Sequence, residues 1–180
     1  MQFLPLLAAA TLATLATSAS LQAQDPSSFE VGALKFNRPA AWSWVPVTSP
    51  MRKAQLKITG KEKDQVADVT FFHFGAGSGG GVEANAKRWL GQFESKEGAS
   101  KVEPQEIGGV KVTLVTTQGT FHSGIPGGPL EAIADYALLG AIIENAEGDI
   151  FIKMTGPAGL VNEQRKAFLE FIASAVAARK

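Results

Sequence analysis

His73 and His122 are the only histidines in this chain of 180 residues, so acid–base or nucleophilic chemistry near neutral pH would begin with them. Ser123 follows His122 directly, and Ser78 lies a few residues beyond His73. With Asp68 and Asp135 as acids, the raw materials of a serine–histidine–acid site are present. Their spacing does not assemble one. The order around Ser78 is Ala76-Gly77-Ser78-Gly79-Gly80, which is not the G-x-S-x-G elbow. A metal would need the same two histidines with a carboxylate, and neither H-x-H nor H-E-x-x-H occurs. Glu103 and Glu106 flank Pro104 and read as solvated loop, so no carboxylate pair is set up for glycoside chemistry. The absence of cysteine removes disulfides, thiolate metal sites and cysteine nucleophiles together.

The other motif is a glycine loop. Gly75, Gly77 and Gly80 spell G-x-G-x-x-G between a strand-like and a helix-like stretch. A dinucleotide site would require a βαβ unit and an acid at the tip of the next parallel strand. Here Glu94 and Glu97 fall at the end of the helical stretch instead. No Lys-Ser or Lys-Thr follows the glycines, so this is not a P-loop, and no cofactor is expected. What remains is a sharply turning connection whose free backbone N–H groups suit an anion. The candidate ligand-binding residues are therefore Gly77, Ser78, Gly79 and Gly80, with His73 and His122 at the neighbouring strand and loop.

These residues must be positioned by regular elements. From Val69 the chain alternates, with Val69, Phe71 and His73 on one side and Thr70, Phe72 and Phe74 on the other, as in a strand covered on both faces. Past the glycines, Val82, Ala86, Trp89, Leu90 and Phe93 form one helical stripe. Phe29 to Phe36 reads as a first strand. Trp42 and Trp44 share a parity in a short second one and are expected in the core. In MRKAQLKI, Ala54, Leu56 and Ile58 alternate with Lys53, Gln55 and Lys57, as in an edge strand guarded by lysines. Val110, Val112 and Leu114 mark a further strand, and HSGIPGGPLEAI reads as a long functional loop. The apolar run from Tyr136 to Ile143 suits an interior strand, paired through Asn145–Gly148 with IFIKM in a hairpin. Gly156-Pro157-Ala158-Gly159 opens a last helix with Leu160, Ala167, Phe168, Phe171, Ile172, Ala175 and Val176 on its buried stripe.

Charge and address narrow the function. Lysines and arginines number 17 and so do the acids, so bulk attraction to nucleic acid has no support. Locally, Lys35, Arg38, Arg52, Lys53, Lys57, Lys61 and Lys63 crowd one region, while Glu131, Asp135, Glu144, Glu147 and Asp149 crowd another. The first stretch suits an envelope protein or an anionic polymer as partner, or simply faces the second. Residues 1–23 hold an uncharged apolar segment from Phe3 to Ala16 and small residues before Ala23, the pattern of a secretory signal cleaved after Ala23. The apolar run is shorter than the roughly 20 residues of a membrane span. The expectation is a single domain over 24–180, periplasmic or secreted, with no stable membrane span after cleavage.

Phe36-Asn37-Arg38-Pro39-Ala40-Ala41-Trp42, an F-x-x-P-x-x-W pattern, resembles the opening of the PsbP/DcrB-type sandwich. The hairpin, the Gly-Pro turn and the helix with Phe168 to Ser174 resemble its ending. The resemblance implies an α+β fold, a mainly antiparallel sheet flanked by helices on both faces. It also implies an exported accessory protein that binds a larger assembly, with no catalytic motif to carry over. The expected function is an exported non-catalytic binding or accessory protein of the bacterial cell envelope. The alternatives are an exported hydrolase or metal-dependent enzyme using His73 or His122, and a small-ligand carrier with Trp42 or Trp44 against its pocket.

Overall fold

A computed structural model describes residues 25–62, 64–124 and 129–178. The signal segment expected over 1–23 lies outside the described residues. The chain opens with a hairpin of β1 (Ser28–Val31) and β2 (Leu34–Asn37), which forms a two-stranded sheet of its own. The single strand read from Phe29 to Phe36 is thus two, because the chain turns at Gly32 with φ of 55°.

The main sheet has eight strands. They are β3 (Trp42–Trp44), β4 (Ala54–Thr59), β5 (Val66–His73), β6 (Phe93–Ser95), β7 (Lys101–Ile107), β8 (Val110–Ser123), β9 (Glu131–Ile143) and β10 (Ile150–Pro157). Their order is β3-β4-β5-β10-β9-β8-β6, with β7 also paired to β8. Every pairing is antiparallel. Three helices complete it: α1 (Gly81–Leu90), α2 (Ala158–Glu163) and α3 (Arg165–Ala177). This is the sheet-rich antiparallel α+β class read from the sequence.

Five local readings are corrected. The lysine-bearing β4 is not an edge, because β3 pairs along it through Trp42 to Trp44. Pro104 and its glutamates belong to β7, where an edge strand tolerates the missing N–H, and not to a loop. The Gly/Pro loop is shorter than its composition suggests, since His122 and Ser123 pair with Ala132 and Glu131 as the outer rungs of the β8–β9 hairpin. Finally, Phe93 leaves the helix and starts β6, and the last helix breaks at Gln164 into α2 and α3.

Two apolar clusters use alternate residues of the same strands. One gathers Val69, Phe71, Leu139, Ala141, Ile143, Ile150 and Ile152 with Leu160, Phe168, Phe171 and Ile172 of α2 and α3. The β1–β2 hairpin joins it through Leu34 and Phe36. The other gathers Leu138, Ile142, Phe151 and Val115 with Ala86 and Trp89 of α1. The first cluster is the larger, so α1 stands over a less completely filled face.

Candidate functional site

That face carries the cleft. Along β5 the side chains of Thr70 and Phe72 stand on the α1 side, and along β10 so do Phe151 and Lys153, because Phe72 is registered with Phe151 and Thr70 with Lys153. Helix α1 supplies Asn85, Arg88 and Trp89, and Gln92 follows its end. Together with Met51, Phe74, Ser78, Gly79 and Gly80 these residues bound a cleft of about 940 Å³. Met51 is 60% exposed and Phe74 37% exposed at its mouth, so apolar surface faces solvent at the opening.

The loop before α1 is held by Asn85. This residue is only 1% exposed, and its Nδ2 donates to the carbonyls of Gly79 at 2.6 Å and Gly81 at 2.7 Å. The helix has no side-chain N-cap, so Asn85 ties the loop from inside instead. Gly79 adopts φ of 91° and lies so close to the aromatics that a Cβ would be 2.9 Å from Phe151 Cε2 and from Phe74 Cδ2. Glycine is needed there by conformation and by space.

The cleft's electrostatics are one-sided. Lys153 is half-buried, with its ammonium donating to Gln92 Oε1 and lying 5.3 Å from the centre of the Phe121 ring. Burial, then the positive charges of Arg88 and Arg52, pull its pKa down from 10.5 to about 8. Arg88 donates to Asn85 Oδ1, and Arg52 donates to Gln55 Oε1 at 2.7 Å. Gln55 in turn donates to Asp68 Oδ1 at 3.1 Å. No carboxylate lines the cleft, and among the described residues Lys153 makes no ion pair.

Three residues of the sequence-derived set meet here, Ser78, Gly79 and Gly80. Gly77 lines a smaller hollow of about 290 Å³ shared with Asn145, Gly148 and Asp149. The histidines do not join them. His73 follows Phe72 and so points to the opposite face, where its Nε2 is buried without a hydrogen-bond partner, hard against Gly32. His122 lies with Nε2 3.7 Å from Glu94 Oε2. Strands β10 and β9 stand between β5 and β8, and His73 is level with Val112, ten residues along β8 from His122. The two rings are thus separated by roughly 14 Å across the sheet and by about 30 Å along it. Ser123, being adjacent on the strand, points away from His122. Among the described residues no group of three or more histidines and acids could hold a metal ion.

The indole beside the cleft is Trp89, not Trp42 or Trp44. Trp42 is buried in the larger core with Nε1 donating to Gln164 Oε1 at 3.0 Å, and Trp44 is half-buried against Phe29. Sequence reasoning missed Met51, Arg88, Gln92 and Lys153 as members of one site, and Arg52 as a charge beside it. The available signal was the lysine in IFIKM, a charge on the same parity as Phe151 in a strand otherwise apolar.

No protein-family model matches the chain, and no curated protein matches it either. Among solved structures it is similar to cyanobacterial PsbP (CyanoP) from Synechocystis sp. PCC 6803, with a TM-score of 0.50 and 13% identity over 89% of this chain and 96% of that one. A protein of Bacteroides thetaiotaomicron aligns with a TM-score of 0.40 and 12% identity, over 76% of this chain and 43% of that one. The chain therefore has a PsbP-like fold. At this identity the likeness extends to the fold alone.

Proposed function

We propose that this chain is an exported, non-catalytic binding protein of the bacterial cell envelope that takes its ligand in the cleft between α1 and the sheet. One observation carries the reading. Lys153, placed by an interior strand in a partly desolvated position beside two other cations and no acid, has only Gln92 and the Phe121 ring to offset the cost of its charge, and its lowered pKa shows that they do so incompletely. Such a cost is characteristic of a site kept for a ligand. The cleft's size and aromatic lining suit a small organic molecule. The leader-like residues 1–23 support export. Among the described residues, no helix is long and apolar enough to cross a membrane. The enzyme reading has only Glu94 beside His122 to recommend it, on a different strand from His73 and away from the cleft lining.

The test is native mass spectrometry of the domain over 24–180 after incubation with a cell-envelope extract, beside the variant Ser78→Trp. Ser78 is exposed at the cleft wall, so the indole fills the mouth without entering the core. A mass adduct on the parent domain that Ser78→Trp loses supports the cleft. No adduct, or the same adduct on both, overturns it. A reporter enzyme fused after residue 180 tests export separately, and activity confined to the cytoplasm refutes that part.

A further inference from the structure

We infer that the ligand of this cleft is an amphiphilic anion, a carboxylate or phosphate head on an extended alkyl chain, with Lys153 and Arg88 holding the head and Phe72, Phe74 and Trp89 lying along the tail. This rests on the binding role proposed above and adds the chemical class of what is bound.

The argument is one of complementarity. An apolar ligand would not need Lys153, whose ammonium projects from the sheet into an aromatic environment and shares only Gln92 as a side-chain hydrogen-bond acceptor. A small inorganic anion would not need the exposed Met51 and Phe74 at the mouth, nor a cleft of about 940 Å³. A cation would meet Lys153, Arg88 and Arg52 with no carboxylate in the lining to offset them. Only a molecule with both an anionic end and a sizeable apolar body answers all three features. The two cations divide the work: Lys153 offers a compact charge at the floor, and Arg88 a planar fork at the exposed edge, fixed by its hydrogen bond to Asn85. Arg52, engaged with Gln55, adds field without direct contact.

The experiment is isothermal titration of the domain over 24–180 with dodecanoate, dodecyl phosphate and dodecyltrimethylammonium, each below its micellar concentration, with dodecan-1-ol below its solubility limit, and with acetate and inorganic phosphate as heads without tails. Dodecanoate and dodecyl phosphate, which separate a carboxylate source from a phosphate source, are expected to bind at least tenfold more tightly than the alcohol. The ammonium and the bare heads are expected not to bind measurably. Lys153→Met should weaken both long-chain anions by tenfold or more while leaving the alcohol unchanged, and Arg88→Gln should weaken them less. Removing the buried charge does not threaten folding, so loss of binding in Lys153→Met is readable. Equal affinity for the alcohol or the ammonium, or a Lys153→Met variant that binds the anions unaltered, overturns the inference. If the envelope adduct is lost in Ser78→Trp but proves neutral or cationic, the ligand class fails and the binding role stands. If there is neither an adduct nor binding of any probe, both fail.

Discussion

The indole of Trp89 rests on Gly140: a Cβ at that glycine would stand 2.5 Å from Cζ3 and 2.8 Å from Cε3 of the ring. Gly140 belongs to β9 and is registered with Lys153 of β10 on one side and with Val115 of β8 on the other. The missing side chain is the seat that lets α1 approach the sheet, and the same approach gives the cleft its back wall. A sheet position that would ordinarily carry a β-branched residue is thus given up to seat a helix.

Gly140→Ala is expected to destabilise the fold by about 1–3 kcal/mol, because Trp89 must move and its neighbours are close-packed. Urea unfolding followed by far-UV dichroism measures the loss. A shift in tryptophan emission that is absent when Trp89→Phe is combined with it would identify the ring that moved. An unchanged unfolding midpoint would contradict the packing described.

Stability should rise with pH in alkaline solution. The folded pKa of Lys153, about 8, lies below its ordinary 10.5, so between these values the unfolded chain binds more protons than the folded one. The penalty is full below about 8 and is removed as pH climbs toward 10.5. Lys153→Met should therefore be more stable than the parent near pH 7 by about 1–3 kcal/mol after allowance for partial solvent screening, with the gap closing by pH 10.5. Urea midpoints at several pH values give this directly, and a gap that widens with pH would contradict it.

Affinity for a long-chain anion should move the opposite way. The charges facing Lys153 are Arg88 from α1 and Arg52 from the segment before β4, both permanently positive. Asp68, on β5, is engaged by Gln55. The titration of Lys153 therefore governs the change. Since the bound anion favours the charged ammonium, dodecanoate affinity should fall by up to about tenfold between pH 7 and pH 9. Titration calorimetry at the two values checks it, and Lys153→Met should show a flat profile.

Asn85→Ala is expected to cost about 1–2 kcal/mol and to loosen the loop, since two carbonyls lose their internal donor and Arg88 loses its acceptor. Hydrogen exchange over residues 75–84 should quicken while β9 and β10 stay protected. Equal exchange in both proteins would show that the loop does not depend on Asn85.

The strands and helices were legible where periodicity is strong. Val69 and Phe71 against Thr70 and Phe72 announced a strand covered on two sides, and the unbroken run from Tyr136 to Ile143 announced an interior one. Phe93 was misplaced because it buries in the same cluster as the helical stripe, and apolar spacing does not show that the helix has already ended at Gly91. Pro104 misled for another reason: β7 is an edge, and proline is excluded only from strands paired on both sides. The site was legible only at its loop. Ser78, Gly79 and Gly80 stand out as a motif, whereas Arg88 and Lys153 of the lining, and Arg52 beside it, come from three parts of the chain far apart in sequence. Their meeting is a product of strand order, which residue spacing within any one segment does not encode. The histidines drew attention by rarity, and rarity says nothing about neighbours.

The opening hairpin and the closing helix share a single aromatic seam. Phe29 and Phe36 lie 6.5 and 5.2 Å from Phe171, ring centre to ring centre, and Trp42 reaches Gln164 across 122 positions of sequence. Both rings also meet Phe71 of β5, at 5.1 and 5.5 Å, so the hairpin is wedged between the large sheet and the helix, and its release would bare both at once.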